Sequence, residues 1–262
     1  MKLSYPFGFL LILILSFNSC IKTDDGETID DQNNNNNIVD NQQITGYTAK
    51  EILSGDEFTS LVIELVYMDG FAPSNIAIEQ MKLFLEGRIF KPDGITINLK
   101  PISPLGNSSY NINDIRAIED NYRTQFNSEG QMAIWGIFLD GPSANDSSAD
   151  IKFGSAYRNT SFAIFQKSIQ ELSNNSTDPE QSLTESTVIQ HQFCHLLGLT
   201  NLGSPMQSEH EDQLHPRHCD VSDCLNYYKL GTDAVLDVLS GRITPPTLDF
   251  QCLADLQANG GR

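Results

Sequence analysis

Blocks of apolar and polar residues along the chain predict alternating strands and helices. The nearly unbroken apolar runs at 61–68 (LVIELVYM) and 132–139 (MAIWGIFL) are typical of strands that are covered on both faces. Between them, apolar residues recur at helical spacing over 75–88 and about 113–126. The alternating segment at 95–99 (ITINL) predicts a further strand between these two helices.

The segment that follows predicts two short strands and a long helix. The strands lie at 153–157 and 161–165, and the helix runs from about 183 to 197. The order β-α-β-α-β-β-β-α implies an α/β fold with a mainly parallel sheet, because strands separated by helices pair in parallel. The close spacing of the last two strands allows one antiparallel edge strand. We assign residues 56–262 to this folded domain.

Residues 1–19 predict a lipoprotein signal peptide. Lys2 precedes an apolar run at 7–17, which is too short for a transmembrane helix and has the usual length for a signal peptide. The run ends before Asn-Ser-Cys20, which resembles a bacterial lipoprotein cleavage site with Cys20 as the lipidated N-terminus, although Phe17 replaces the usual aliphatic residue. Ordinary secretion is the alternative. We expect a lipoprotein of the bacterial outer membrane or cell surface, and an anchor that faces the periplasm is the alternative.

Residues 20–55 predict a disordered tether, and the charge of the chain limits its partners. The tether is acidic and contains five consecutive asparagines at 33–37. The whole chain has 16 Lys and Arg against 34 Asp and Glu, a formal net charge of −18 at pH 7. This charge argues against nucleic acid, which needs a cationic surface, and against a basic patch on anionic lipid. We expect membrane contact through the lipid anchor only, and a monomer.

The chemistry of the chain concentrates in the segment VIQHQFCHLLGL at 188–199. His191 and His195 are four residues apart, so on a helix they share a face and can bind one metal ion. Two histidines that hydrogen-bond in a groove are the alternative. The segment resembles the HExxHxxG helix of zinc metallopeptidases of the metzincin clan. Gln192 stands where the clan has glutamate, and Gly198 where the clan turns its helix sharply.

A second segment begins at His218 and resembles the HCx4CxM segment of archaemetzincins, with Asn226 in place of the methionine. In that family the histidine is the third zinc ligand. The family's short spacing is not kept, because nineteen residues, 199–217, precede His218 here.

Several residues compete with His218 for this role, and solvated loop histidines that bind nothing are the alternative to all of them. We rank His218 first, His210 second, His215 third and Asn201 last, because an amide is a weak zinc ligand.

The resemblance implies a zincin-like domain with an active-site helix, a loop-rich C-terminal subdomain, Zn²⁺ as the cofactor, and a peptide or protein as substrate or ligand. The whole chain also resembles bacterial lipoproteins described as membrane metalloproteases. In metzincins, a tyrosine at the offset of Tyr228 can reach the metal or stabilise the oxyanion, and a packing role is the alternative.

Gln192 changes the expected activity. An amide can hydrogen-bond and orient water, but it cannot accept the proton that the glutamate takes. Loss of general acid–base help lowers rates by about 10²–10⁴. We therefore expect zinc binding with weak or absent peptide hydrolysis, as in a pseudoenzyme. A non-catalytic surface domain that binds peptide or is purely structural is the alternative.

Four cysteines lie in the domain itself. We expect Cys194 to be a packed core thiol. In archaemetzincins the cysteines that match Cys219 and Cys224 help to bind a second zinc, but the later CxxC pair is absent here. We expect a disulfide from Cys224 or Cys219 to Cys252, which an exported protein permits, and no second metal.

Overall fold

The computed structural model describes residues 40–147, 150–173 and 178–262. The predictions on the signal peptide and Cys20 lie outside these residues. Within them, five strands form one sheet: β1 (Ser60–Met68), β2 (Gly94–Ile102), β3 (Gln131–Phe138), β4 (Gly154–Arg158) and β5 (Ser161–Ile164). The order across the sheet is β2-β1-β3-β5-β4, and every pairing is parallel except that of β4 with β5. The predicted α/β class with one antiparallel edge strand is confirmed.

Seven helices accompany the sheet in the described residues: α1 (Ala49–Leu53), α2 (Asn75–Glu86), α3 (Ile112–Tyr122), α4 (Gln166–Ser173), α5 (Asp178–Leu196), α6 (Val235–Leu239) and α7 (Phe250–Ala258). Ser74 caps α2, because its Oγ accepts a hydrogen bond from Ala77 N at 3.2 Å. α4 was not predicted, since its eight residues (QKSIQELS) contain only two large apolar side chains. α5 begins five residues before its predicted start.

Both faces of the sheet are covered, because side chains alternate along each strand. In β1, Leu61, Ile63 and Leu65 join one core cluster with α2 and α5. Val66 and Met68 join the other cluster, to which α3 contributes. α5 is therefore packed on the sheet and contacts β4.

The predicted tether is wrong in its C-terminal part, because residues 40–55 fold against the domain. α1 buries Ile52 and Leu53 in the main core. Asn41 is fully buried, and its amide donates to Asn127 Oδ1, Ala133 O and Thr160 Oγ1 at 3.0–3.1 Å. The composition of residues 40–55 did not predict that they fold. A polar residue such as Asn41 is buried only when distant partners satisfy its hydrogen bonds, and composition does not reveal those partners.

The chain beyond α5 is rich in loops, as expected. Residues 199–262 contain a 3₁₀ turn at Tyr228–Gly231, the five-residue α6 and the nine-residue α7. In the part of the chain that the structure describes, no helix has both the length and the apolar character required to cross a membrane.

Candidate metal centre

The C-terminal turns of α5 present His191 and His195 on one face. Their ring centroids lie 4.8 Å apart. The chain leaves the helix at Gly198, whose φ of 76° is a conformation that glycine adopts without strain. A Cβ at this position would lie 2.7 Å from Ala49 Cβ and from Ser204 N. The sharp turn expected at Gly198 is therefore present, and it requires glycine.

His218 completes a cluster of three histidines. Its ring centroid lies 5.3 Å from that of His191 and 5.0 Å from that of His195. One ring nitrogen of each histidine lies within 4.8 Å of those of the other two. The structure thus brings together the three residues that the sequence ranked first as zinc ligands.

The protonation of these histidines suits a metal. Burial, followed by the proximity of His218, lowers the pKa of His191 to about 3. Burial also lowers the pKa of His195 and of His218. Neutral imidazoles are the form that binds metal ions.

Hydrogen bonds to the ring nitrogens also fit a metal site. Nδ1 of His191 lies 2.9 Å from Leu225 O, which leaves Nε2 available as a ligand. Nδ1 of His195 is buried without a hydrogen-bond partner among the described residues. The donor set of three imidazoles is one that zinc accepts in catalytic sites.

A cavity of ≈ 730 Å³ lies over the cluster, and Gln192 and Tyr228 also line it. Gln192 is only 2 % exposed. The backbone at two glycines comes close to Gln192 and His191. A Cβ on Gly154 would lie 2.8 Å from Gln192 Nε2, and a Cβ on Gly231 would lie 3.2 Å from His191 Nε2. The absence of side chains at these glycines therefore leaves room for Gln192 and His191.

Two lower-ranked ligands lie outside the three-histidine cluster. His215 lines the same cavity, where it stacks on Tyr228 with ring centroids 3.5 Å apart. Its Nδ1 lies 2.8 Å from Asp212 Oδ2. Asn201 donates instead to Glu211 Oε2 at 2.7 Å.

Two further residues of the motif segments, Asn226 and Cys194, are packed into the interior. Asn226 is fully buried and donates from Nδ2 to Thr200 Oγ1 at 3.1 Å. This bond satisfies part of an amide that replaces the usual methionine. Cys194 is also fully buried, and its thiol donates to Gln190 O at 3.3 Å. Burial raises the pKa of Cys194, as suits a packed core thiol.

A second cluster contains His210 and the remaining cysteines. His210, Cys219, Asp249 and Cys252 have ligand atoms within 4.8 Å of one another. Cys224 adjoins them, with its Sγ 3.6 Å from that of Cys252.

The expected disulfide is absent from this cluster. The four cysteines of the described residues are all free thiols. A disulfide needs its sulfurs about 2.05 Å apart, well below the spacing of Cys224 and Cys252. The resemblance to archaemetzincins relates Cys219 and Cys224 to a second zinc, whereas we expected a disulfide and no second metal there. The expected disulfide did bring Cys252 to these cysteines, but nothing in the sequence indicated that His210 and Asp249 would join them, because these come from a separate loop and from the start of α7.

Comparison with solved structures shows similarity to the crystal structure of an archaemetzincin from Methanopyrus kandleri. The TM-score is 0.48 and the sequence identity 15 %, over 77 % of this chain and 96 % of that chain. No protein-family model matches the chain, and no curated protein matches it in sequence.

Proposed function

We propose that this protein is an exported, zinc-binding, metallopeptidase-like domain with weak or absent peptide hydrolysis. One observation carries the proposal: His191, His195 and His218 converge on one point at the floor of an open cavity. Three imidazoles beside an accessible space are the arrangement that catalytic zinc sites use, with the fourth position open to water or substrate.

The residues around the cluster define the chemistry that is available. Bound zinc lowers the pKa of water and polarises a carbonyl group. Gln192 lies in the cavity, where its amide can donate to or accept from a water molecule and so orient it. It cannot remove the water's proton, so hydrolysis lacks its general base. Tyr228 lines the same cavity, and we propose that its hydroxyl hydrogen-bonds a ligand there.

The edge strand β4 supplies a place for a peptide ligand. β4 is the last strand of the sheet, and Gly154, Ser155 and Ala156 line the cavity. A peptide in extended form can pair with such an edge through main-chain hydrogen bonds, while its side chains enter the adjacent space. The ligand that we propose is therefore a peptide or a protein segment.

Zinc analysis tests the metal site. We expect His191→Ala to bind one zinc ion fewer per chain than the wild type. His215→Ala is the matched control, because His215 lines the same cavity outside the cluster. Equal zinc content in the wild type and His191→Ala would remove the proposed site.

A peptidase assay on the zinc-loaded proteins tests the role of Gln192. Gln192→Glu restores a general base, so we expect its kcat to exceed that of the wild type by about 10²–10⁴. Gln192→Ala serves as the control that removes the amide without adding a base. Equal, zinc-dependent cleavage by the wild type and Gln192→Glu would contradict the pseudoenzyme proposal. Absence of cleavage by both, with zinc bound, would favour a non-catalytic peptide-binding domain, which the replacement of the turn methionine by Asn226 also supports.

We further propose a location at the bacterial outer membrane or cell surface, a lipid anchor on Cys20 and a monomeric state without a nucleic-acid partner. The signal-like N-terminus and the net charge of −18 support these proposals. Mass spectrometry of the membrane fraction would detect a lipidated Cys20 peptide, and Cys20→Ser should release the protein from the membrane. An unmodified Cys20 in the wild type would contradict the anchor.

A further inference from the structure

Positively charged side chains are concentrated beside β4, although the chain as a whole is acidic. The chain has 16 Lys and Arg against 34 Asp and Glu. Lys152, Arg217 and Lys229 line the cavity over the three histidines, and the carboxylates among its described lining residues are Asp150 and Asp233. The walls of this cavity therefore carry more positive than negative charge, which is the reverse of the balance in the chain.

A second cavity, of ≈ 320 Å³, adjoins the first along β4. Ala156 lines the first cavity, and the next two residues of the strand, Tyr157 and Arg158, line the second. The segment before α1 passes from one cavity to the other in the same way, because Thr45 lines the first and Ile44 lines the second. The two cavities are therefore neighbouring parts of one groove beside β4.

The outer edge of β4 is free between two points. Just before the strand, Phe153 N donates to Gly231 O at 2.9 Å, and just after it, Asn159 N donates to Gln43 O at 3.0 Å. Between these points, β5 is the only backbone partner of β4 among the described residues. Backbone groups that face away from β5 therefore remain available to a further strand.

The free stretch has the length of a short peptide in extended form. β4 contains five residues, and four steps of about 3.3 Å span roughly 13 Å. Its first residue, Gly154, lies against Gln192 in the first cavity, and its last, Arg158, lines the second. An extended peptide of about five residues can therefore reach from the three-histidine cluster into the second cavity.

Most of the cationic side chains along the groove lack a partner of opposite charge. Arg158 is the exception, because its Nη1 lies 2.9 Å from a carboxylate oxygen of Glu119 and of Asp120. Among the described residues, no ion pair is present at four others: Lys152, Arg217 and Lys229 in the first cavity and Arg116 in the second. These four charges are available to an anionic ligand.

The acidic residues of the loop 199–217 do not cancel this charge. Glu211 accepts hydrogen bonds from Asn201 Nδ2 and Arg217 N, and Asp212 Oδ2 lies 2.8 Å from His215 Nδ1. Neither carboxylate lines the groove. Exposed charges more than about 8 Å away are largely screened at physiological ionic strength, so a ligand in the groove responds chiefly to the residues that line it.

We propose that this groove selects an acidic peptide, which binds in extended form along the outer edge of β4. Lys152, Arg217 and Lys229 pair with carboxylates of the peptide near the three histidines, and Arg116 pairs with a carboxylate at the far end of the groove. This selection rests on the proposed peptide-binding function.

A peptide fits this groove better than another polyanion does. The free edge of β4 offers main-chain donors and acceptors at the spacing of a neighbouring strand, and a polypeptide backbone matches that spacing. The lining cations then decide which peptide binds, because ion pairs across a binding surface contribute more to selectivity than to total affinity. The strand edge therefore supplies binding and the four cations supply selection.

Binding of three labelled peptides to the full chain tests the proposal. The peptides share a length of about eight residues, enough to span the free stretch, and differ only in whether glutamate, glutamine or lysine occupies alternate positions. We expect the glutamate peptide to bind about tenfold more tightly than the glutamine peptide, the combined effect of several partly exposed ion pairs, and the lysine peptide to bind most weakly. Added salt should reduce these differences, because it screens ion pairs. Equal affinities for the glutamate and glutamine peptides, or tighter binding of the lysine peptide, would overturn the selection.

The decisive variant combines Lys152→Gln with Lys229→Gln, which removes two charges and leaves the three histidines unchanged. We expect it to lose most of the preference for the glutamate peptide. Lys82→Gln is the matched control, because Lys82 pairs with Glu86 on α2 and lies outside both cavities. An unchanged preference in the double variant, or an equal loss in the control, would overturn the selection.

A second variant keeps the test valid if the double variant does not fold. Arg116 is exposed on α3, so Arg116→Gln should leave the fold intact. We expect it to lower the affinity for the glutamate peptide about threefold, the effect of one exposed ion pair, and to leave the affinity for the glutamine peptide unchanged. Equal changes for both peptides would contradict a charge contact at the far end of the groove.

Further outcomes separate this selection from the function on which it rests. Zinc content is measured in the same samples. Bound zinc without binding of any of the three peptides would contradict the proposed peptide function, and the selection with it. A preference for the glutamate peptide in a protein that binds no zinc would support the groove and contradict the zinc function. Displacement of the glutamate peptide by single-stranded DNA of equal charge, at a similar affinity, would overturn the assignment of a peptide as the ligand.

Discussion

The sheet layer, residues 60–164, and the C-terminal loops, residues 199–262, both bury apolar and polar groups, but they do so in very different amounts of regular structure. The sheet layer buries apolar side chains on both faces of five strands. The C-terminal loops contain two short helices and bury polar and sulfur groups, among them His210, Cys219, Asn226 and Asp255. Apolar burial is non-directional and scales with area, whereas buried polar groups stabilise a structure only while their partners are in place. The two regions should therefore respond differently to the same perturbation.

The largest expected loss of stability comes from a substitution that creates a cavity in the sheet layer. Phe162 is fully buried, with its ring 5.2 Å from that of Phe193. We expect Phe162→Ala to lower the free energy of unfolding by about 3–5 kcal/mol. Urea unfolding in the presence of a chelator measures the loss without a metal contribution. Phe250→Ala is the matched control, because Phe250 is 77 % exposed and should change stability little. Equal losses in both variants would contradict the proposed division between the regions.

The second effect is acid destabilisation of the metal-free protein through the histidine cluster. Burial lowers the pKa of His191 to about 3 and that of His195 well below its usual value. The unfolded chain has histidine pKa values near 6.5, so below that pH it binds more protons than the folded chain, and stability falls as the pH falls.

From pH 7.5 to 5.5 we expect the free energy of unfolding to fall by roughly 1 kcal/mol for each of His191 and His195, because both stay neutral in the folded chain while the unfolded chain gains their protons. Urea unfolding at the two pH values in a chelator measures this loss. His191→Gln should reduce it by about half, and a wild type whose stability did not change over this range would contradict the expected direction.

The third prediction tests whether buried polar contacts of the sheet layer affect stability without affecting zinc binding. The amide of Asn41 is buried and joins residues 40–55 to three distant positions. We expect Asn41→Ala to lower the free energy of unfolding by about 1–3 kcal/mol, because it leaves buried partners unsatisfied. Asn107→Ala on an exposed loop is the control. Zinc content should be unchanged in both, and loss of zinc in Asn41→Ala would link the two regions more closely than we expect.

The smallest effect on stability is expected from a substitution at Gly231, which should instead lower the affinity for zinc. A Cβ there would lie 3.2 Å from Nε2 of His191, the nitrogen that remains available as a ligand. We expect Gly231→Ala to weaken zinc binding at the three-histidine site about tenfold, or about 1.4 kcal/mol, with little change in unfolding. Gly87→Ala is the control, since its Cβ would make only ordinary contacts. Unchanged zinc affinity would show that the loop at Gly231 moves aside freely.

The same division explains which predictions from the sequence succeeded. Strand and helix positions in the sheet layer follow from apolar periodicity, and β1 and β3 each lie within one residue of the predicted runs. The turn at Gly198 is local as well, because it depends on the conformation of a few neighbouring residues. The expected disulfide at Cys252 was wrong, since the pairing of thiols depends on how separate loops pack.

The sequence by itself determined the mainly parallel sheet and the shared face of His191 and His195. Both follow from short-range spacing, which the backbone geometry of strands and helices converts directly into direction. Only the tertiary structure decided that His218 joins this pair while His210 lies with Cys219 and Cys252. Those positions lie along an irregular loop, where contacts with α7, among them the buried carboxylate of Asp255, decide where each side chain lies.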